Sequence, residues 1–199
     1  MSFGYFLLIC FYFILPAYFT NMTPPLAKKA GILKFLDREV DFGKTYEGFS
    51  IFGAHKTWRG VILGILVGMV VVWLQVWLYQ FSLIREISLF DYTNINFRVG
   101  GWFVEGRWVG SSLFGFLISS GAVLGDLLFS FLKRRLKMKP GQRWLPFDQT
   151  DYIIGAFLIV NPFLRVSPLI WLTIFALTFF LHLLVTRIGY QLKICENKW

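Results

Sequence analysis

Three carboxylates and a set of cations stand at spacings that suit phosphate and metal chemistry. Asp126 lies inside a long apolar run, and Ser130, Lys133 and Lys137 follow it at i+4, i+7 and i+11. On a helix these positions share one face. Arg134 lies beside that stripe, and Leu127, Leu128, Phe131 and Leu132 form the opposite, apolar face. A carboxylate within a membrane-length segment is costly unless it faces a protein interior or a wet cavity, which makes Asp126 a functional candidate. The cations that follow it also suit plain snorkelling at a membrane edge. Downstream, Asp148 and Asp151 stand at i, i+3 after a Pro140–Gly141 turn. One of them suits a helix N-cap and the helix dipole. Two carboxylates on one face repel unless a cation sits between them. With Asp126 as a third oxygen donor, the set suits Mg2+ or Mn2+.

A third stretch, GAHKTWRG at 53–60, sets Lys56, Thr57 and Arg59 between glycines. A Walker loop would need glycines at 50 and 55, where the chain has Ser50 and His55, so that reading fails. What remains is a cationic, hydroxyl-bearing segment able to bind phosphates through side chains and backbone N–H groups. Ser130 has no nucleophile elbow around it. His55 and His182 are too far apart in sequence to favour a zinc site.

The elements that must position these groups are membrane spans. The chain has 199 residues, is 56% hydrophobic and 20% aromatic, and has a mean hydropathy of +0.61. Its apolar residues are gathered in long blocks, unlike those of a soluble domain. A spanning helix needs about 20 mostly apolar residues. The blocks predict an all-α integral membrane protein, a single unit over 1–199, with about five spans near 3–19, 61–81, 111–132, 152–164 and 169–185. The fourth is short and reaches further only if it starts near Asp148. Residues 1–9 carry no Lys or Arg, and no cleavage site of the small-x-small kind follows, so the first block is expected to be retained. The 82–110 loop, with Trp102 and Trp108, is expected to be external and interfacial.

The net charge is +9, but the basic residues flank the apolar blocks, a topology signal rather than a nucleic-acid footprint. With five spans, sixteen Lys and Arg fall on one face and four on the other. The positive-inside rule then predicts an external N-terminus, a cytosolic C-terminus and a cytosol-facing polar site in a multi-pass protein of the cell membrane. Cys10 and Cys195 form no disulfide framework. The residues fix no oligomeric state.

Several stretches together resemble the CDP-archaeol synthases, small relatives of the phosphatidate cytidylyltransferases. They are PAYFTNMTPPL at 16–26, DFGKTYEG at 41–48, FGAHKTWRG at 52–60, GDLLFSFLKRRLKMKPG at 125–141 and DQTDYIIGA at 148–156. The resemblance implies five transmembrane helices and transfer of CMP from CTP to a lipid phosphate, with Mg2+ and release of pyrophosphate. Carried onto this chain, it implies that Asp126, Asp148 and Asp151 bind metal and act in catalysis together with Lys133. It implies that Lys56, Thr57, Arg59, Ser130, Lys133, Arg134 and Gly141 hold the CTP phosphates. It implies that Asn21, Asp41 and Gly43 shape the cavity. QRWLPF at 142–147 replaces the glycine- and histidine-containing stretch of the larger bacterial-type enzymes, which favours the archaeol branch and leaves base recognition unassigned. Phosphatidic acid is the alternative acceptor. A small ion-coupled transporter is the more distant alternative, and it predicts polar residues deep in several spans, where few are found.

Overall fold

Apolar segments of this length form helices in a bilayer because each backbone N–H and C=O must find a partner within the protein. The computed structural model describes residues 2–92, 95, 97–99, 102–104, 107–139, 142 and 144–191. Its main helices are α1 (Phe3–Ala30), α2 (Trp58–Leu78), α4 (Arg107–Arg135), α5 (Phe147–Leu164) and α6 (Pro168–Gln191), with a short α3 (Ser82–Glu86). Two small antiparallel hairpins add to the helices: β1 (Thr45–Tyr46) with β2 (Phe49–Ser50), and β3 (Phe97–Val99) with β4 (Trp102–Val104). The first closes on Glu47 and Gly48, both at positive φ, the geometry of a tight two-residue hairpin turn.

Four helices are long and apolar enough to cross a membrane: α1, α2, α4 and the Pro168–Arg187 part of α6. The chain is a multi-pass membrane protein. The short fourth block does extend to a start at Phe147, giving α5 18 residues. Asp148 and Asp151 in its first turns lower its apolar character, and it is not among the four.

The first helix runs well past residue 19, through Pro16, Pro24 and Pro25. Each proline lacks an N–H and so frees a carbonyl one turn earlier. The carbonyl freed by Pro16 is that of Tyr12, and the buried Gln75 of α2 donates its Nε2 to it at 2.6 Å. This pairing explains a polar residue deep in the second span. In a Pro16→Ala background, where the helix supplies its own N–H, Gln75→Leu should cost about 1 kcal/mol less than in the native background. Unfolding of the four proteins of that cycle in detergent measures it. The helix ends at Gly31, at φ 65°, where Gly31 N–H reaches Lys28 O and Ile32 N–H reaches Ala27 O.

Small residues set the helix spacing. Gly60, Gly64 and Gly68 of α2 face Pro24, Thr20 and Ser119, letting α1, α2 and α4 approach closely. The tightest crossing joins α4 to α5, where a Cβ on Gly125 or Gly155 would fall less than 3.0 Å from the partner helix's backbone. The hydrophobic core runs from Ile153 and Ala156 beside that crossing to Phe13, Phe114 and Trp171. The 82–110 segment does not merely skim the surface. Its Tyr92 is fully buried against Tyr12, Phe90 and Phe114.

Candidate active site

The last turns of α1, the first turn of α2, the last turns of α4 and the start of α5 meet at one end of the bundle. A polar cavity of about 450 Å³ lies there, lined among others by Asn21, Lys56, Thr57, Arg59 and Asp126. Five residues singled out from sequence, drawn from three separate stretches, therefore share one wall. Asp37 and Glu39 join them.

Asp126 grips the Lys56 ammonium with both carboxylate oxygens, at 2.6 and 2.7 Å. Lys56 reaches it from the loop that leads into α2. Thr57 caps that helix, and its Oγ1 accepts the Gly60 N–H at 3.4 Å, so its hydroxyl has a structural task as well as a place in the cavity. Arg59 is buried and paired with Asp37 at 3.0 Å.

A second pair stands on the α5 side. Lys133 Nζ lies 2.7 and 2.8 Å from the two Asp148 oxygens, and Trp144 N–H donates to the same carboxylate at 2.9 Å. Phe129, Trp144 and Phe147 pack together with ring centroids 4.6 to 5.9 Å apart, which seats the start of α5 against α4. Asp151, one turn on, is buried and accepts the Tyr152 N–H at 2.7 Å. It lies within electrostatic reach of Asp126, Lys56 and Asp148. The close crossing at Gly125 and Gly155 brings Asp126 and Asp151 to neighbouring positions on facing helices.

The remaining predicted residues stand differently. Ser130 is half-buried on α4, and neither it nor Arg134 lines the cavity. Arg134 donates to Met138 O at 3.0 Å, and its Nε faces the Gly53 backbone. Lys137 leaves the stripe: at φ 55° it is the left-handed residue that ends α4, with Met138 N–H closing on Lys133 O. Gly141 lies outside the described residues.

Asp41 and Gly43 do not line the cavity; they organise the loop that presents Lys56. Asp41 is buried, and its carboxylate accepts the N–H groups of Phe52 at 2.9 Å, Gly43 at 3.1 Å and Gly53 at 3.4 Å. Burial alone would raise its pKa, but those three backbone donors outweigh it and hold the carboxyl below its ordinary range. The stabilisation is therefore complete above the ordinary carboxylate range and is lost as pH falls through the lowered value. Asp41→Asn, which keeps only one acceptor oxygen, should speed hydrogen exchange at Phe52 and Gly53 and lower activity about tenfold. The variant should also lose the acid dependence of that exchange.

Sequence reasoning missed Arg135. It donates to the carbonyls of Tyr46 at 2.7 Å and Ser50 at 3.0 Å and lies over the Tyr46 and Phe131 rings, tying the first hairpin to α4. A basic residue at a helix end carries no signal of such a partner.

The donor set suits a hard divalent cation: three carboxylates, all oxygen, on two adjacent helices. Among the described residues, no three His, Cys, Asp or Glu side chains converge as a ready ligand group. Asp126 and Asp148 each already hold a cation, the ammonium of Lys56 or Lys133. The carboxylates fit such an ion in kind, and binding it would require the two lysines to move aside.

A family profile described as CarS-like, CDP-archaeol synthase, matches residues 3–199. The CDP-archaeol synthase of Methanococcus aeolicus is 31% identical over 200 residues, covering 100% of both chains. That of Pyrococcus furiosus is 29% identical over 194 residues, covering 97% of this chain and 98% of its own. A solved structure described as an intramembrane enzyme for archaeal membrane lipids biosynthesis matches in fold with a TM-score of 0.61 and 24% identity, over 87% of this chain and 90% of that one. The chain belongs to the CDP-archaeol synthase family and, with it, to the membrane cytidylyltransferases.

Proposed function

We propose that this protein transfers CMP from CTP to the phosphate of an unsaturated archaeal ether lipid, giving a CDP-activated lipid for phospholipid synthesis and releasing pyrophosphate. The observation that carries the reading is the shared cavity wall of Asn21, Lys56, Thr57, Arg59 and Asp126, with Asp148, Asp151 and Lys133 beside it.

Five crossings account best for the layout. The cavity end receives the C-terminal ends of α1 and α4 and the N-terminal ends of α2 and α5, so α5 crosses despite its polar start. An 18-residue helix is about 27 Å long, close to the hydrocarbon thickness. With five crossings the sequence puts sixteen of the 20 basic residues on the loops and tail of one face, the face of the cavity, so that face lies in the cytosol and the N-terminus outside.

The reaction needs no protein nucleophile. The lipid phosphate is already anionic at neutral pH. Its oxygen attacks the α-phosphorus of CTP, a new P–O bond forms, and the bond to the β-phosphate breaks with pyrophosphate leaving. Asp126, Asp148 and Asp151 would hold Mg2+, which when bound neutralises charge on the triphosphate and the leaving group. Lys56 and Lys133 exchange partners on loading, turning from their carboxylates to phosphate oxygens. Arg59, fixed by Asp37, and the Thr57 hydroxyl orient the triphosphate, and the cations stabilise its developing charge.

Offering reconstituted protein labelled CTP with a geranylgeranyl ether glycerol phosphate, or with phosphatidic acid, tests the reading. The ether acceptor should be strongly preferred. A preference for the ester would move the substrate to diacylglycerol phosphates, and CDP-lipid from neither would remove the activity.

A further inference from the structure

The wall of the cavity has a second side. Residues 38–40 pair with 56–58: Val40 N–H reaches Lys56 O at 2.9 Å, Trp58 N–H reaches Arg38 O at 2.9 Å, and Glu39 lies opposite Thr57. Asp37, Glu39, Lys56, Thr57 and Arg59 line the nucleotide-sized cavity. Arg38, between Asp37 and Glu39 in an extended segment, and Trp58, at the start of α2, do not line it. With Phe35 and Leu36 they line a separate groove of about 320 Å³.

That groove pairs one cation with an apolar bed. Phe35 is 72% exposed and Trp58 38%, and Phe42, 66% exposed, lies near the Trp58 ring with centroids 6.4 Å apart. Large apolar groups this exposed are at home in the interfacial layer of a bilayer, where Trp is enriched. The Arg38 side chain is exposed and makes no hydrogen bond or ion pair with the described residues. By contrast, the guanidiniums of Arg59, Arg134 and Arg135 are all engaged by carboxylate or carbonyl groups. A guanidinium without a partner among the described residues, at the lip of an apolar groove, is complementary to a phosphate monoester carrying hydrocarbon tails.

We propose that this groove receives the lipid acceptor, with Arg38 on its phosphate and the first part of its tails over Trp58, Phe35 and Leu36, before the phosphate crosses the ribbon to the nucleotide. The inference rests on the reading that the acceptor is a lipid phosphate. It accounts for a wall that is polar on one side and apolar on the other. The two substrates of a transfer between a water-soluble nucleotide and a membrane lipid would approach from opposite sides of one short ribbon.

Kinetics in proteoliposomes test it, varying the surface fraction of ether lipid phosphate at saturating CTP, and CTP at saturating lipid. Arg38→Gln should raise the KM for lipid about tenfold, with kcat and the KM for CTP within about twofold, since one charge-assisted phosphate contact is lost. Arg38→Lys should fall between. An unchanged lipid KM in an active Arg38→Gln protein overturns the proposal. A second measurement needs no turnover: a lipid phosphate with a photoactivatable group in its tail should label the 32–58 segment, and Arg38→Gln should reduce that label. Labelling elsewhere, or equal labelling by a phosphodiester lipid of the same tails, overturns the proposal. Label in the groove of a protein that makes no CDP-lipid would keep the groove and remove the activity instead.

Discussion

Replacing Asp126 with Asn is expected to lower kcat/KM for CMP transfer by about a thousandfold, the scale of removing one organised electrostatic group from a reacting centre. The protein should remain folded. Asn has the same shape and can still accept a hydrogen bond from Lys56, and the two side chains, 26% and 27% exposed, keep some access to water. A largely buried ion pair makes poor sense as a stabilising device, because desolvation offsets its attraction. It makes good sense as a carboxylate and an ammonium stored together until a cation and a triphosphate arrive. Thermal unfolding in detergent alongside the kinetics separates the two roles. A variant that loses stability in step with activity would make Asp126 a structural partner of Lys56 and nothing more.

The second large effect concerns a residue with no functional group. Gly125→Ala places a Cβ less than 3.0 Å from the Asp151 carbonyl and the Gly155 backbone. Those atoms belong to a packed helix and cannot swing away as the end of a side chain can. Alanine's better helix propensity, worth about 1 kcal/mol, works against this strain. Overpacking of this kind costs about 1–3 kcal/mol, and here the strain should prevail. Relief comes by moving α4 away from α5, which separates Asp126 from Asp151. Displacing reacting groups by about 1 Å costs about a hundredfold in rate, and that is the expected loss. Gly4→Ala, also helical but with nothing within 4 Å of its added Cβ, is the control and should leave the rate unchanged without lowering stability. Equal behaviour of the two variants would show that the close crossing does not position the carboxylates.

What the sequence revealed and what it hid follow a physical division. Local spacing was legible. Asp126, Ser130 and Lys133 do lie along one helix, and Asp148 and Asp151 do open the next, because helical period alone decides both. The end of that first helix was not legible. Lys137 falls off the stripe because backbone bonds close after Arg135, and lysine is not a residue that announces a left-handed turn. Groups whose partners are distant in sequence were opaque. Asp41 read as a cavity residue, yet its partners are backbone N–H groups at 43, 52 and 53. Gln75 is a polar residue deep in an apolar span, and its partner is a carbonyl freed by Pro16. A proline within a span was the available signal, since it always leaves a carbonyl in need of a donor. The ribbon of 38–40 with 56–58 was invisible for the same reason. Neither segment alone carries a strand pattern, and the groove that Arg38 and Trp58 share appears only once they pair.

In the proposed reaction the α-phosphoryl group of CTP, with its nucleoside, moves to a lipid phosphate at this cavity. Parallel reactions of reconstituted protein with CTP labelled at the α- or the γ-phosphate, in membranes containing the ether lipid phosphate, test it directly. The α-label should be extracted with the lipid and the γ-label recovered as pyrophosphate in the aqueous phase. Label from the γ-phosphate in the lipid, or no lipid label from either, would contradict it.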